Sequence, residues 1–252
     1  MRKVDTARTA LTDLVLALTL MTRLPMPRLP RAAFECQAGA VWAFPLVGAV
    51  VGVLAGAAGL AALALGLPAP VAAGLVLAVQ ILATGAMHED GLADTADGLW
   101  GGWTPERRLE IMKDSAIGTY GVLALVLTVG LRWAALTVLM PQGGAPVVAA
   151  AVLSRAGLPV LMRALPPARA GGLSRQVGAP THNSVSLSVV LGFGLGWLAV
   201  GPPVLAPVLT VLLAVCVLAL VARARIGGQT GDILGAAQQL AELAALLALC
   251  AV

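Results

Sequence analysis

The chain has 252 residues, 59% of them hydrophobic and only 11% charged, whereas a soluble domain of that length carries about a quarter charged residues. That deficit excludes a water-facing globular surface. With aromatics at 4%, the apolar mass is Ala, Leu, Val and Gly, which suits lipid-spanning helices packed through small residues. The net charge of +4 is not a nucleic-acid signature, because the basic residues are dispersed between apolar runs and read as topology signals.

Arg2, Lys3 and Arg8 precede an apolar run at 14–20 that imitates a signal peptide. No A-x-A-like cleavage site follows and Arg23 comes soon after, so the segment is read as retained. The stretch 11–21 is too short to span and carries Asp13; it is expected to be an interfacial helix. A bilayer core about 30 Å thick needs about 20 apolar helical residues. Seven segments fit: 39–66, 70–87, 119–140, 146–162, 184–201, 203–222 and 233–252. The first is long enough to tilt or to contain a break near Pro45.

Basic residues sit at 2–8, 23–31, 107–113, 163–175 and 223–225, and the connectors 67–70, 141–145 and 201–203 have none. Threading seven spans puts every basic connector on one side, cytoplasmic by the positive-inside rule, with the N-terminus inside and the C-terminus outside. The expectation is an all-α, polytopic transmembrane bundle forming a single integral-membrane domain over 1–252, surrounded by membrane lipid. Cys36, Cys216 and Cys250 show no CxxC spacing and read as small apolar residues.

The chain has twelve acidic residues, and Glu89, Asp90, Asp94, Asp97, Glu106, Glu110 and Asp114 crowd into one short stretch. In a helix, Asp90, Asp94 and Asp97 stand at i, i+4 and i+7 on one face. Carboxylates stacked in this way repel, and protonation, basic partners or a divalent cation must compensate. Mg²⁺ prefers hard oxygen ligands and bridges to substrate phosphates. A solvated acidic loop is the bland alternative. Acids that directly follow a span in a chain so poor in acids favour function. Gly91, Ala93, Ala96 and Gly98 would leave room for a bulky ligand. His88 is a candidate proton acceptor.

Pro105 suits a helix first turn with Thr104 as cap, giving a short amphipathic helix. Its Arg107 and Arg108, with Lys113 and Asp114 behind, are candidates to engage substrate phosphates or, equally, lipid headgroups. Gly118 and Gly121 would admit close approach as the next span begins. Near the C-terminus, 227–232 reads GGQTGD. Asp232 can cap the last helix, and the glycines up to Gly231 can present amides to an anion. Gln239 and Glu242 extend a polar stripe into an apolar span, where a buried Glu needs a partner or a proton. Arg132 can snorkel or pair with an acid, and Arg155 is a candidate for an anionic substrate. His182 is expected in a loop without a role.

Together HEDGLADTADG (88–98), RRLEIMKDSAIGTYG (107–121), SRA (154–156) and GGQTGDILGAAQQLAE (227–242) resemble the cobalamin synthase family, with weaker matches at RLPMP (23–27) and FPLVG (44–48). The resemblance covers nearly the whole chain in order. It implies an Mg²⁺-dependent bacterial inner-membrane transferase that joins adenosylcobinamide-GDP with alpha-ribazole, or alpha-ribazole 5′-phosphate, and releases GMP. It also implies that Asp90, Asp94 and Asp97 hold metal while a ribose hydroxyl attacks the cobinamide-linked phosphorus in line, with one of those carboxylates or His88 taking the proton. Many members carry a basic residue where this chain has Ala116. The loop 171–183 matches no motif, and the acid at Glu89 is optional, so Glu89 stands outside the ligand set. Self-association into a homo-oligomer is left open.

Two other readings compete. CDP-alcohol phosphotransferases also use spaced aspartates, and Asp94-Thr95-Ala96-Asp97-Gly98 partly echoes their motif, but the later paired aspartates are missing. A cation-coupled transporter would show inverted repeats meeting at the bilayer midplane, and the sequence has no such repeat.

Overall fold

The computed structural model describes residues 9–172 and 176–252. Arg2, Lys3, Arg8 and Arg175, counted above as topology signals, lie outside the described residues, as does the Cys36 side chain. The helices in chain order are α1 (Ala10–Met21), α2 (Phe44–Ala64), α3 (Ala69–Thr84), α4 (Met87–Gly101), α5 (Pro105–Ile111), α6 (Thr119–Leu139), α7 (Ala145–Ala156), α8 (Leu158–Ala164), α9 (His182–Val200), α10 (Leu205–Ile226) and α11 (Gly231–Cys250). No strand occurs among the described residues, and Pro167 and Gln229 form an isolated bridge.

Among the described residues six stretches are long and apolar enough to cross a membrane: Gln37–Ala64, Thr119–Gln142, Ala145–Ala164, His182–Val200, Pro202–Ile226 and Gly231–Cys250. With the bent pair α3–α4 there are up to seven, and every expected span is helical. The break anticipated near Pro45 is real. A 3-10 helix, Arg31–Ala43, gives way to α2 at Phe44, with Pro45 in the first turn. The α7–α8 span breaks at Gly157.

The segment expected at 70–87 differs. Helix α3 ends at Thr84, and Gly85 and Ala86 both take left-handed backbone angles, φ 65° and 59°. A non-glycine residue there costs about 1–2 kcal/mol. The turn swings α4 through 88° from α3. The RLPMP segment buttresses it: the Arg23 amide donates to the Ala83 carbonyl at 2.7 Å, and a Cβ on Gly85 would stand 2.7 Å from Arg23 Cγ. Polar α4 therefore leaves the line of the apolar span and crosses the end of the bundle.

Small residues set the helix spacing. Gly48, Gly52 and Gly56 recur every fourth residue on the α2 face packed against α7. A Cβ on Gly52 would lie 2.8 Å from Val148 Cα, too close for any side chain, so the two backbones approach as small-xxx-small packing allows. Helix α11 runs through the centre, packed on α4, α6, α7 and α10, and buries Ile233, Ala236, Ala237, Ala241 and Ala245. The exposed apolar residues lie on outer faces, such as Val126 and Leu127 of α6 and Leu209 and Leu213 of α10. Outer faces of this composition suit helices long and apolar enough to cross a membrane. The short α1 buries Leu16, Ala17, Leu18 and Met21, and its Asp13 accepts from the Trp42 indole at 2.9 Å.

Candidate active site

Helix α4 sorts the acidic motif by direction. Asp90 is exposed and Asp94 is half-buried, whereas His88, Glu89 and Asp97 are buried. The helix crosses the start of α11 at two glycines. A Cβ on Gly91 would stand 2.9 Å from the Asp232 carbonyl oxygen and 3.2 Å from Gly235 Cα. Gly91 therefore serves helix packing rather than ligand room, and it brings the first and last motifs together. Gly98 is likewise filled from outside, by Met112 and the Arg108 backbone.

Asp97 lies on the same helical face as Asp90 and Asp94 but is buried and bonded to the start of α6. Its Oδ2 accepts the Gly118 amide at 2.7 Å and its Oδ1 the Gly121 amide at 2.9 Å. These amides open α6, where unpaired N–H groups and the helix dipole favour a carboxylate. The close approach expected at Gly118 and Gly121 is made by this side chain. Asp94 is crowded instead by Asp90, Asp232 and Asp97. Partial burial first, and then those charges, push its carboxyl up to about 7, with Arg169 pulling the other way.

The last helix is capped by Thr230, whose hydroxyl accepts the Ile233 amide at 3.3 Å. This corrects the expectation of Asp232 as cap. Asp232, in the first turn, accepts from the Thr230 hydroxyl at 3.1 Å and pairs with Arg169. Arg169 was missed in the sequence, where the basic loop at 163–175 read only as a topology signal. A short zipper puts it there: the Ala168 amide donates to the Gln229 carbonyl at 2.8 Å, and the Gln229 amide to the Pro166 carbonyl at 2.9 Å. Gly231 begins the helix exposed, with nothing standing within 4 Å of where a Cβ would be.

A second set of polar residues is sealed inside the bundle. Glu242 meets Arg132 at 3.0 Å and Arg155 at 3.5 Å. It also accepts from Gln80 at 2.7 Å and from Gln238. Arg132 reaches the Gln80 amide oxygen at 2.8 Å, Gln239, and Glu89 at 3.4 Å. Gln239 donates to Glu89 at 3.0 Å, and Gln238 to the Ser154 hydroxyl at 3.2 Å. Each of these side chains is buried. The polar stripe read on the last helix thus finds its partners on α3, α4, α6 and α7. Arg132 pairs rather than snorkels. Arg155, Gln239 and Glu242 sit together here and not with Asp94.

Helix α5 forms as expected, with Thr104 accepting the Arg107 amide at 3.3 Å. Arg107 pairs with Glu110 of the same helix at 3.1 Å, both exposed. Arg108 donates to the Arg225 carbonyl at 3.0 Å. Arg225 in turn donates to the Leu99 carbonyl at 2.6 Å and lies 5.2 Å over the Trp100 ring, so this pair ties α10 to the end of α4. Lys113 and Asp114 are exposed, and Asp114 accepts the Ala116 amide at 3.1 Å. His182 is not in a loop. It opens α9 behind the Thr181 cap and lies 2.6 Å from Arg163.

Among the described residues no three His, Cys, Asp or Glu side chains converge into a metal cage. The donor chemistry nonetheless fits Mg²⁺, which keeps several waters and is commonly held by one or two carboxylates together with substrate phosphates. Asp90 and Asp94 are hard oxygen donors, and among the described residues Arg169 is the one cation that offsets the charge around Asp94.

A family profile described as cobalamin-5-phosphate synthase matches residues 13–250. The adenosylcobinamide-GDP ribazoletransferase of Bradyrhizobium diazoefficiens is 46% identical over 96% of this chain and 95% of its own length. Proteins of the same name from Brucella canis and Brucella suis are 43% identical over 94% of this chain and 95% of theirs. No solved structure matches. The chain belongs to the cobalamin-5-phosphate synthase family.

Proposed function

We propose that this protein is an adenosylcobinamide-GDP ribazoletransferase, joining adenosylcobinamide-GDP with alpha-ribazole or its 5′-phosphate and releasing GMP. The observation that carries the reading is the crossing of α4 and α11 in a chain so similar to proteins of that name. It sets an acidic face, a helix N-terminus and one arginine around one spot.

The exposed Gly231 amide and the first turn of α11 offer donors to diphosphate oxygens. Arg169, held beside them by its backbone zipper, supplies a fork suited to phosphate once it shares or leaves Asp232. Asp90 and Asp94 would hold Mg²⁺, which when bound supplies charge neutralisation on the diphosphate and the leaving oxygen. The ribose hydroxyl oxygen bonds to the cobinamide-linked phosphorus as the bond from that phosphorus to the GMP oxygen breaks in line. The hydroxyl proton passes to a carboxylate of the Asp90, Asp94 and Asp232 group. Asp97 acts by docking α6 on α4, which fixes the face that carries Asp94. Arg107 and Lys113, exposed near the same end of the chain fold, serve electrostatic attraction of the anionic substrate or of lipid headgroups.

We place the protein in the bacterial inner membrane, with the N-terminus and the loops around α4 and α5 cytoplasmic and the C-terminus outside. The support is the segregation of basic connectors. The test is GMP release by protein reconstituted in liposomes, with and without Mg²⁺. Release from adenosylcobinamide-GDP plus ribazole is expected. Release of CMP from a CDP-alcohol, with none from adenosylcobinamide-GDP, would refute the assignment.

A further inference from the structure

A narrow apolar cleft of about 70 Å³ opens beside the crossing of α4 and α11, room for several times the about 10–15 Å³ that one water needs. Its walls include Met21 of α1, Phe44 of α2, His88 of α4, Leu158 and Met162 of α8, and Val177. All six are buried, which sets the cleft apart from the exposed apolar faces that meet lipid. One margin is Gly231 and Gly235, the two glycines that flank Asp232. A ligand seated here therefore reaches the acidic group without leaving the protein. His88 supplies the polar element: it is 2% exposed, and its Nε2 has no hydrogen-bond partner. A buried imidazole nitrogen left unpaired costs stability unless something satisfies it.

We infer that this cleft is the subsite for the aromatic base of ribazole, with His88 Nε2 as its polar contact. The inference rests on the transferase reading and adds a location to it. A flat, largely apolar N-heterocycle fits the chemistry of the walls, and its unsubstituted ring nitrogen accepts from Nε2–H. An acyl chain would leave Nε2 unpaired. The nucleoside ribose then emerges at Gly231, where no side chain blocks it, and presents its hydroxyl towards Asp94 and Asp232. On this account His88 is a specificity-determining residue for the nucleoside and not the proton acceptor.

The test is steady-state GMP release by the full-length protein in liposomes, varying one substrate with the other saturating. Met162→Phe narrows the cleft, and it is expected to raise KM for alpha-ribazole about tenfold, with KM for adenosylcobinamide-GDP and kcat held within about twofold. Both KM values unmoved, or both rising together, would overturn the assignment. A second arm needs no cleft-filling variant. An indole analogue of ribazole, with a ring CH replacing the unsubstituted nitrogen, should show a KM about tenfold above that of ribazole in the wild type and no such penalty in His88→Ala. Equal KM values for the two nucleosides in the wild type would overturn the His88 contact. Absence of any wild-type turnover would instead overturn the transferase reading beneath it.

Discussion

Acidic side chains occupy two places in this bundle, and their surroundings differ. Inside, Glu242 and Glu89 are matched by Arg132 and Arg155 and wrapped by Gln80, Gln238 and Gln239. At the crossing of α4 and α11, Asp94 is acted on by Asp90, Asp232 and Asp97, with Arg169 the one opposing charge among the described residues. In the first group each acid faces a guanidinium within the protein. The second is left with excess negative charge on a half-buried surface. A chain that pairs its acids with arginines in one place leaves an excess of them in the other at a cost to its own stability, which fits a site awaiting a cation and a diphosphate.

The comparison breaks first if the inner network is not structural. Glu242→Ala strands the buried Arg155 guanidinium and leaves Arg132 with Glu89 as its acid, and removing one partner of a buried ion pair costs about 3–5 kcal/mol. The expected result is loss of monodisperse protein on detergent size exclusion, whatever the activity. Asp94→Asn should do the reverse. It should lower GMP release by at least about a hundredfold while leaving the melting temperature unchanged or raised, because a repelled carboxylate is gone.

Asp97 falls between the two groups. Asp97→Asn weakens two amide contacts to a charged acceptor, worth about 1.5–3 kcal/mol each, so a fall in both melting temperature and turnover is expected. Hydrogen exchange should rise at the Gly118 and Gly121 amides. The pH behaviour of Asp94 sharpens the contrast further. A carboxyl raised to about 7 is protonated below that pH, so cation affinity should weaken as pH falls through about 7. Binding near neutral pH should also expel a proton. Calorimetry in two buffers of different ionisation enthalpy reads this release, and Asp94→Asn should remove it. The smallest effect is expected for Arg107→Ala. Its exposed pair with Glu110 contributes about 0.3–0.5 kcal/mol, and turnover should change by less than about threefold at physiological salt.

The spans and their order were legible because apolar length and Pro/Gly punctuation are local signals. Thr104 capping α5 and the 3-10 break before Pro45 were legible for the same reason. The 88° turn after Thr84 was not, since it depends on Ala86 accepting a left-handed backbone with Arg23 packed behind it. The acidic motif announced itself by spacing, which set Asp90, Asp94 and Asp97 on one helical face as observed, but spacing did not show that Asp97 is already held by α6. The competing pull of the unpaired amides at the start of α6 has no sequence signature beyond Gly118 and Gly121. Arg169 was hidden because its place comes from a backbone bridge between Pro167 and Gln229, two loops far apart in the chain. The fate of Glu242 was half visible. Its need for a partner followed from burial, but apart from Gln238 the partners lay on three other helices.

The most direct measurement records turnover and thermal unfolding on one reconstituted preparation of Asp94→Asn beside the wild type. The account predicts a protein that melts no earlier than the wild type and releases almost no GMP at saturating Mg²⁺. Wild-type turnover in that variant, or loss of turnover only in step with loss of fold, would contradict it.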